Sequence, residues 1–464
     1  MPEKNEQLTG IVEALGSQGE GIVKVDGVTF FVPYTLVGEK INFKALKVKG
    51  NIGYGKCENV VSPSKERAVP LCSAFEKCGG CQVQHMNYEA QLSFKREQVK
   101  NTLQKVGNIE YNVPMPVPSE KQYGYRNKLQ LPIGVDNNGN TVIGFYAERS
   151  HRIVPVDNCA IHPAWAEKLI AALKNYIAES GETGYDELRK TGNLRHIVAR
   201  DMGEKFIVAI VTKTKKLKNS NTLIEGLKGV FPEFTLIHNI NDKDTNVIFG
   251  ERFITLFGSG FFDAEEGGIT FEAGAQTFVQ INEGIRKKMY DQALQEVAAT
   301  GNEVVVDCYS GAGLLTAMAA KRAKRVYGIE IVPEASACAD RLKVKNGLDN
   351  MINICGKVED ELPHVLAKEK NEQVTLILDP PRAGIHRSVL RAIEKSGIER
   401  VVLISCNPAT LARDLGLLAG VLTETEDGQL VKGTDNGVYK IASLQPFDMF
   451  PQTKHVETLV CLTR

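Results

Sequence analysis

The sequence has no apolar run long enough to cross a bilayer, and its opening, MPEKNEQLTG, has neither the basic flank nor the apolar core of a secretory signal. Membrane insertion and export are therefore not expected, and the chain reads as cytoplasmic. It also lacks net charge, with 56 Lys and Arg against 56 Asp and Glu, so average composition points to no partner. Ten cysteines in 464 residues are too sparse for a disulfide scaffold, so any that cluster are expected to bind metal or do chemistry. No internal repeat is present. What remains is an ordinary globular composition, 43% hydrophobic and 24% charged, in a chain long enough for about three domains of ~150 residues.

Charge is uneven along the chain. Residues 41–57, INFKALKVKGNIGYGKC, hold four lysines and no acid, and residues 205–218, KFIVAIVTKTKKLK, hold five. Two acid-free basic stretches in a neutral protein suit a surface that follows phosphates. The β-rich runs TGIVEAL, GIVKV, VTFFVP, INFKALKV and GKCENVV, separated by glycine turns, predict a small closed barrel of the oligonucleotide-binding type over residues 1–61. Residues 62–270 mix strands and helices, an α+β domain. The helix expected over 88–107 precedes VPMPVPSE, which lets the chain cross to the last domain and the helix dock there. From 271 to 464 helices alternate with the apolar strands VVVDC, RVYGIE, VTLILDP and RVVLISC. That is the α/β pattern of a doubly wound, mostly parallel Rossmann-like sheet.

In LCSAFEKCGGCQVQHM, Cys72, Cys78 and Cys81 stand at C-x5-C-x2-C, with Cys159 in VDNCAIHP as the obvious fourth ligand. Gly79 and Gly80 let the backbone wrap tightly. Four thiols suit structural zinc or an iron–sulfur cluster. The spacing is not the C-x3-C-x2-C of radical enzymes that cleave S-adenosylmethionine, and a fourth cysteine closes the open iron such enzymes need. The site therefore reads as structural, joining Cys159 to the Cys72 loop.

VVVDCYSGAGLLTAMAAKRAKRVYGIEIVPEA is a strand ending in Asp307, a turn with Gly311 and Gly313, a helix, and a second strand ending in Glu330. Glycines let such a turn approach an adenosyl ligand, and the acid can bind both ribose hydroxyls. Dinucleotide binders need a third glycine where Thr316-Ala317 stand here, so a methyl donor fits better. VTLILDPPRAG ends a strand with Asp379-Pro380-Pro381-Arg382. Arg382 takes the place of the aromatic residue that enzymes methylating exocyclic amines carry after the proline pair, which disfavours an amine target.

The cysteine of ERVVLISCNPATLARD, Cys406, then matters. C5 of uracil is a poor nucleophile. A thiolate adding to C6 makes the ring an enolate with density at C5, which can attack a methyl sulfonium, and a base must then remove the C5 proton. Glu457 in KHVETLV, at the start of the last strand, is the candidate the sequence offers for that base, against the ordinary reading of a surface glutamate. The alternative is a buried structural cysteine.

Together, SCNPATLARD, LDPPRAG, DCYSGAG, FVQIN, HVE and the C-x5-C-x2-C site resemble the RNA 5-methyluridine methyltransferases, most closely the bacterial 23S rRNA (uracil-5-)-methyltransferases. The resemblance spans nearly the whole chain. It implies Cys406 as nucleophile and Glu457 as base. It implies S-adenosylmethionine contacts from Gln280, Tyr309, Glu330 and Asp379 beside the Gly311 and Gly313 turn. It also implies a [4Fe-4S] cluster on Cys72, Cys78, Cys81 and Cys159, and an N-terminal TRAM barrel. Tyr309-Ser310 stands where Phe-Cys or Tyr-Cys is common, and Leu314 where a polar residue is often found. The implied partner is 23S rRNA, with tRNA or an inactive RNA-binding homologue as alternatives, for a monomer. A uracil must be flipped out to reach a thiol at a sheet edge. The acid-free stretch KQYGYRNKLQLP places Arg126 and Lys128 to hold that RNA.

Overall fold

A computed structural model describes all of the chain except residues 278, 426, 435 and 436. Phe278, the first residue of FVQIN, thus lies outside the described residues. Strands β1 (Gln7–Leu15), β2 (Gly21–Val25), β3 (Val28–Val32), β4 (Lys40–Lys49) and β5 (Ile52–Ser62) close a barrel in the order β1-β2-β3-β5-β4. Its strands alternate buried and outward residues, and Val23, Phe30, Ile41 and Phe43 fill the interior. The helix α1 (Tyr88–Gly107) follows, its first turn capped by Asn87 Oδ1, which accepts from Ala90 N at 2.9 Å.

The middle of the chain runs β6 (Lys128–Val135), β7 (Thr141–Tyr146), β8 (Ile153–Pro155), α2 (Trp165–Ser180), β9 (Leu194–Asp201), β10 (Lys205–Thr212), α3 (Ser220–Lys228), β11 (Glu233–Ile240) and β12 (Arg252–Phe257). The strands form one seven-stranded sheet, β12-β11-β10-β9-β6-β7-β8. Leu129, Leu131, Ile197 and Ala199 pack one of its faces against α2 and α3. A hairpin, β13 (Phe262–Glu266) and β14 (Ile269–Ala273), comes next. The boundary expected at 270/271 falls inside β14, whose Ile269, Phe271 and Ala273 share a core with the helices that follow.

The last part runs α4 (Glu283–Val297), β15 (Val304–Cys308), α5 (Leu314–Ala320), β16 (Arg325–Glu330), α6 (Pro333–Lys345), β17 (Met351–Cys355), α7 (Val358–Lys368), β18 (Val374–Leu378), α8 (Arg387–Lys395), β19 (Arg400–Ser405) and α9 (Pro408–Leu418). A short hairpin, β20 (Leu422–Glu424) and β21 (Leu430–Lys432), and then β22 (Lys440–Phe447) and β23 (Glu457–Thr463) complete it. Its sheet order is β17-β16-β15-β18-β19-β23-β22. The strands from β17 to β19 are parallel and β23 is antiparallel. Helices cover both faces, so β15 and β19 are buried on both sides, which is why VVVDC and RVVLIS are unbroken apolar runs rather than alternating ones. The chain leaves β15 in one direction for β16 and β17, then returns to β18 on its other side. That reversal opens a crevice at the carboxyl ends of the strands. Helix α1 packs against α9. Asn127 N donates to Ile281 O at 3.0 Å, tying the middle sheet to the segment that carries Gln280.

Candidate active site at the carboxyl edge of the sheet

Sheet topology decides which side chains meet. Asp307 is next to last in β15, Glu330 ends β16, Asp379 follows β18 and Cys406 follows β19, so all four arrive at the same edge. Strand β23 runs the other way, so its first residue, Glu457, lands there too. Ser405 pairs directly with Thr458, so the next step of the same antiparallel register sets Cys406 opposite Glu457. These residues line one cavity of about 1250 Å³ with Gln280, Tyr309 and Gly311. Arg126, Lys128, Cys72, Cys78, Cys81 and Cys159 line it from the middle domain.

Gly313 is the expected ligand-turn residue that does not line the cavity. It caps α5 at φ +82°, and an added Cβ would come within 2.7 Å of the Ala339 Cβ and 3.0 Å of the Met351 Cε. Its positive φ and the close approach of Ala339 account for a glycine there by helix packing. Gly311 donates its N–H to Glu330 Oε2 at 2.9 Å, and Val332 N donates to Oε1 at 2.8 Å, fixing the carboxylate at the rim. Tyr309 holds φ +66°, a left-handed conformation that costs a non-glycine residue energy and concentrates at functional turns.

The site is rich in buried acid. Burial pushes Asp379 up to about 7. Burial does the same to Asp307, to about 7, with the charges of Asp379 and Glu330 adding to it and a 2.5 Å hydrogen bond from Thr316 Oγ1 opposing it. Glu457 is held well above the carboxylate range by burial and then by Asp379, against the pull of Arg382. Burial and the Glu457 charge raise the Cys406 thiol, which Arg382 partly offsets. His455 is pushed down to about 4, by burial first and then by Arg382, so it is neutral. At rest the cavity therefore holds a thiol beside a carboxyl group, and an entering cation would favour the ionised form of both.

All four expected ligand cysteines are free thiols on the cavity wall. Burial raises Cys81 to about 12 and Cys159 to about 11, and the charges of neighbouring cysteines raise both further. Among the described residues, no three His, Cys, Asp or Glu side chains are gathered closely enough to hold a single metal ion. The four thiols share the cavity wall and lie in mutual electrostatic reach, without being gathered as a metal-binding group among the described residues.

Sequence reading passed over Arg200, Arg382 and His455 as site residues, although all three line the cavity. Arg382 and His455 lie within the motifs LDPPRAG and KHVETLV and could have been found there. Arg200 sits in an ordinary strand and had no such signal.

A Rossmann-like sheet with a nucleoside-type turn, acids at its carboxyl edge and a thiol–carboxyl pair defines an S-adenosylmethionine-dependent methyltransferase. The family model described as tRNA (Uracil-5-)-methyltransferase matches residues 87–464, and the chain belongs to that family of RNA (uracil-5-)-methyltransferases. Similar curated proteins are an uncharacterized RNA methyltransferase of Halalkalibacterium halodurans, 39% identical over 99% of this chain and 97% of that one, and another of Clostridium acetobutylicum, 38% identical over 100% and 98%. Among solved structures, the Pyrococcus abyssi tRNA (uracil-54, C5)-methyltransferase in complex with S-adenosyl-L-homocysteine superposes with a TM-score of 0.74 at 26% identity, covering 98% of this chain and 99% of that one.

Proposed function

We propose that the enzyme methylates C5 of a uridine in 23S rRNA through a covalent adduct on Cys406. The observation that carries this reading is the meeting of Cys406 and Glu457 in one cavity with Asp379 and Glu330. In the proposed sequence the Cys406 thiolate adds to C6 of the flipped uracil, and the electron pair of the C5–C6 double bond moves to the enolate. S-adenosylmethionine supplies the methyl group as a sulfonium, which C5 attacks. Glu457, as carboxylate, takes the C5 proton, and re-formation of the double bond expels Cys406. Because burial makes Glu457 a reluctant carboxylate, it is a stronger base than a surface glutamate, suited to a carbon-bound proton.

Glu330 is assigned to the donor ribose, Gln280, Tyr309 and Asp379 to further donor contacts, and the Gly311 turn to the close approach of the adenosyl group. Arg126 and Lys128 are assigned to RNA. The four thiols are assigned to a [4Fe-4S] cluster. What supports this is that all four stand on one cavity wall and that Cys81 and Cys159 each feel the charges of the other cysteines. The barrel over 1–61 is read as the TRAM module, the region that follows as the cluster-bearing domain, and the region from the β13–β14 hairpin to 464 as the catalytic domain.

A tRNA substrate is the second reading, favoured by the Pyrococcus abyssi neighbour. Transcripts of 23S rRNA and of tRNA, each incubated with enzyme and methyl-labelled donor and digested for mass spectrometry, test both. 5-Methyluridine in 23S rRNA supports the first reading, in tRNA alone the second, and in neither overturns both.

A further inference from the structure

Arg200 is buried, with 3% of its surface exposed, and it faces the cavity from β9. Its Nη1 donates to the Val279 carbonyl at 3.5 Å, while its Nε meets no acceptor. Among the described residues no carboxylate pairs with it, and the nearby charge acting on it is another cation, Arg286. Arg286 itself is satisfied, with Nε donating to Glu266 Oε1 at 2.8 Å. A buried guanidinium without a counter-charge is costly to fold and is usually paired. Here the unpaired one is the one that faces the cavity.

Arg200 does not stand alone. Lys128 on β6 is its direct cross-strand partner, so both side chains leave the sheet on one face. Lys128 and Gln130 line the cavity, whereas Leu129 and Leu131 turn to the opposite core. Burial, with the charges of Arg200 and Arg126, lowers Lys128 to about 8, and burial lowers Arg200 to about 10. Arg126, also on the cavity wall, extends the cations toward the rim.

We propose that Arg200 and Lys128 form an anion subsite for a phosphodiester group flanking the flipped target nucleotide, with Arg200 as a positioning residue. The proposal rests on the uridine-methylation reading above. Three cations in succession supply more charge than the single carboxylate of a methyl donor balances, and a flipped nucleotide carries phosphates on both sides. A guanidinium can grip a phosphate with two parallel hydrogen bonds, fixing the distance from backbone to base and hence the approach of C6 to Cys406.

The test uses the full chain with its metal site loaded, as Arg200→Gln and Arg200→Lys. Its probes are S-adenosylhomocysteine, a fluorescent oligouridylate titrated at several salt concentrations, and steady-state methyl transfer on whichever transcript the wild type methylates. Arg200→Gln should weaken oligouridylate binding about tenfold and reduce the slope of log affinity against log salt by about 0.7, the change for one lost single-strand phosphate contact. KM for RNA should rise, Arg200→Lys should recover part of the loss, and affinity for S-adenosylhomocysteine should stay within about twofold. Thermal stability without RNA should hold or increase, because an unpaired buried charge is gone. A loss confined to S-adenosylhomocysteine would assign Arg200 to the donor carboxylate and overturn the proposal, as would unchanged binding of both probes. Absence of 5-methyluridine from the wild-type reaction would instead overturn the functional reading, and the oligouridylate arm would still decide the subsite.

Discussion

Lys95 and Asp448 form an ion pair in which neither side chain has any solvent exposure, with Nζ 2.5 Å from Oδ1. Lys95 also donates to the Phe450 carbonyl at 2.9 Å, and Tyr88 OH donates to Asp448 Oδ2 at 2.8 Å. The pair joins α1 to the loop between β22 and β23, which leads directly into Glu457. Burial pulls the Lys95 ammonium down while Asp448 holds it charged. Removing one partner leaves a buried charge alone. Lys95→Met or Asp448→Ala should each cost about 3–5 kcal/mol in denaturant unfolding, and the double replacement Lys95→Met with Asp448→Leu should recover much of it. Additive losses in the double variant would show that the pair is not coupled.

Replacing Cys406 by Ala should lower the rate of methyl transfer by at least ~10³-fold while leaving donor and RNA affinity within a few-fold, since the thiol acts in the chemical step. Glu457→Gln should behave differently. Addition and methyl transfer precede proton removal, so this variant should accumulate a methylated protein–RNA adduct that survives denaturing electrophoresis. Appreciable turnover by Cys406→Ala, or free Glu457→Gln enzyme after one turnover, would remove the respective assignment.

The buried acids make stability depend on pH. Asp307 and Asp379 ionise near pH 4 in the unfolded chain and at about 7 in the fold. Between those values the folded state holds protons that the unfolded state has released. The stability they contribute is fully present below about pH 4 and lost as pH rises to about 7. Donor-free protein should therefore lose stability across this window relative to Asp379→Asn, in which the loss is reduced. Parallel denaturant-midpoint profiles of the two proteins would refute the shift.

Protein prepared without oxygen should be brown and carry about four irons per chain, and Cys159→Ser should lose them. Zinc at one per chain with no iron in such a preparation would contradict the cluster assignment.

Reversing charge at Arg126 and Lys128 together should weaken RNA binding and flatten its salt dependence, with donor affinity unchanged. An unaltered slope would take this strand out of the RNA interface.

The fold was legible where local pattern and tertiary role coincide. The runs Val304–Val306 and Val401–Ile404 are apolar because both faces of their strands are covered, and polar residues follow each where the sheet edge opens to the cavity. Asp307, Asp379 and Cys406 could be found for that reason. Glycine was ambiguous: Gly311 and Gly313 read alike in sequence, and only the position of Ala339 separates a turn that faces the cavity from one that admits a helix. Arg200 was illegible because LRHIVARD looks like any buried strand. Its guanidinium meets the cavity beside Val279 and Gln280, residues far off in sequence, which no local spacing encodes. Lys95 was hidden similarly, since a lysine in an amphipathic helix normally faces water.

The acidic floor of the cavity also bears on turnover. If Glu330 and Asp379 hold the donor as proposed, the cofactor arrives as a sulfonium and departs as an uncharged thioether. Asp379 and Asp307, which burial makes reluctant to ionise, discriminate between these two states, because ionisation is rewarded while the positive charge is present and penalised once it has gone. On that assignment methyl transfer weakens the hold on its own spent cofactor, through the same burial that raises the acids' affinity for protons.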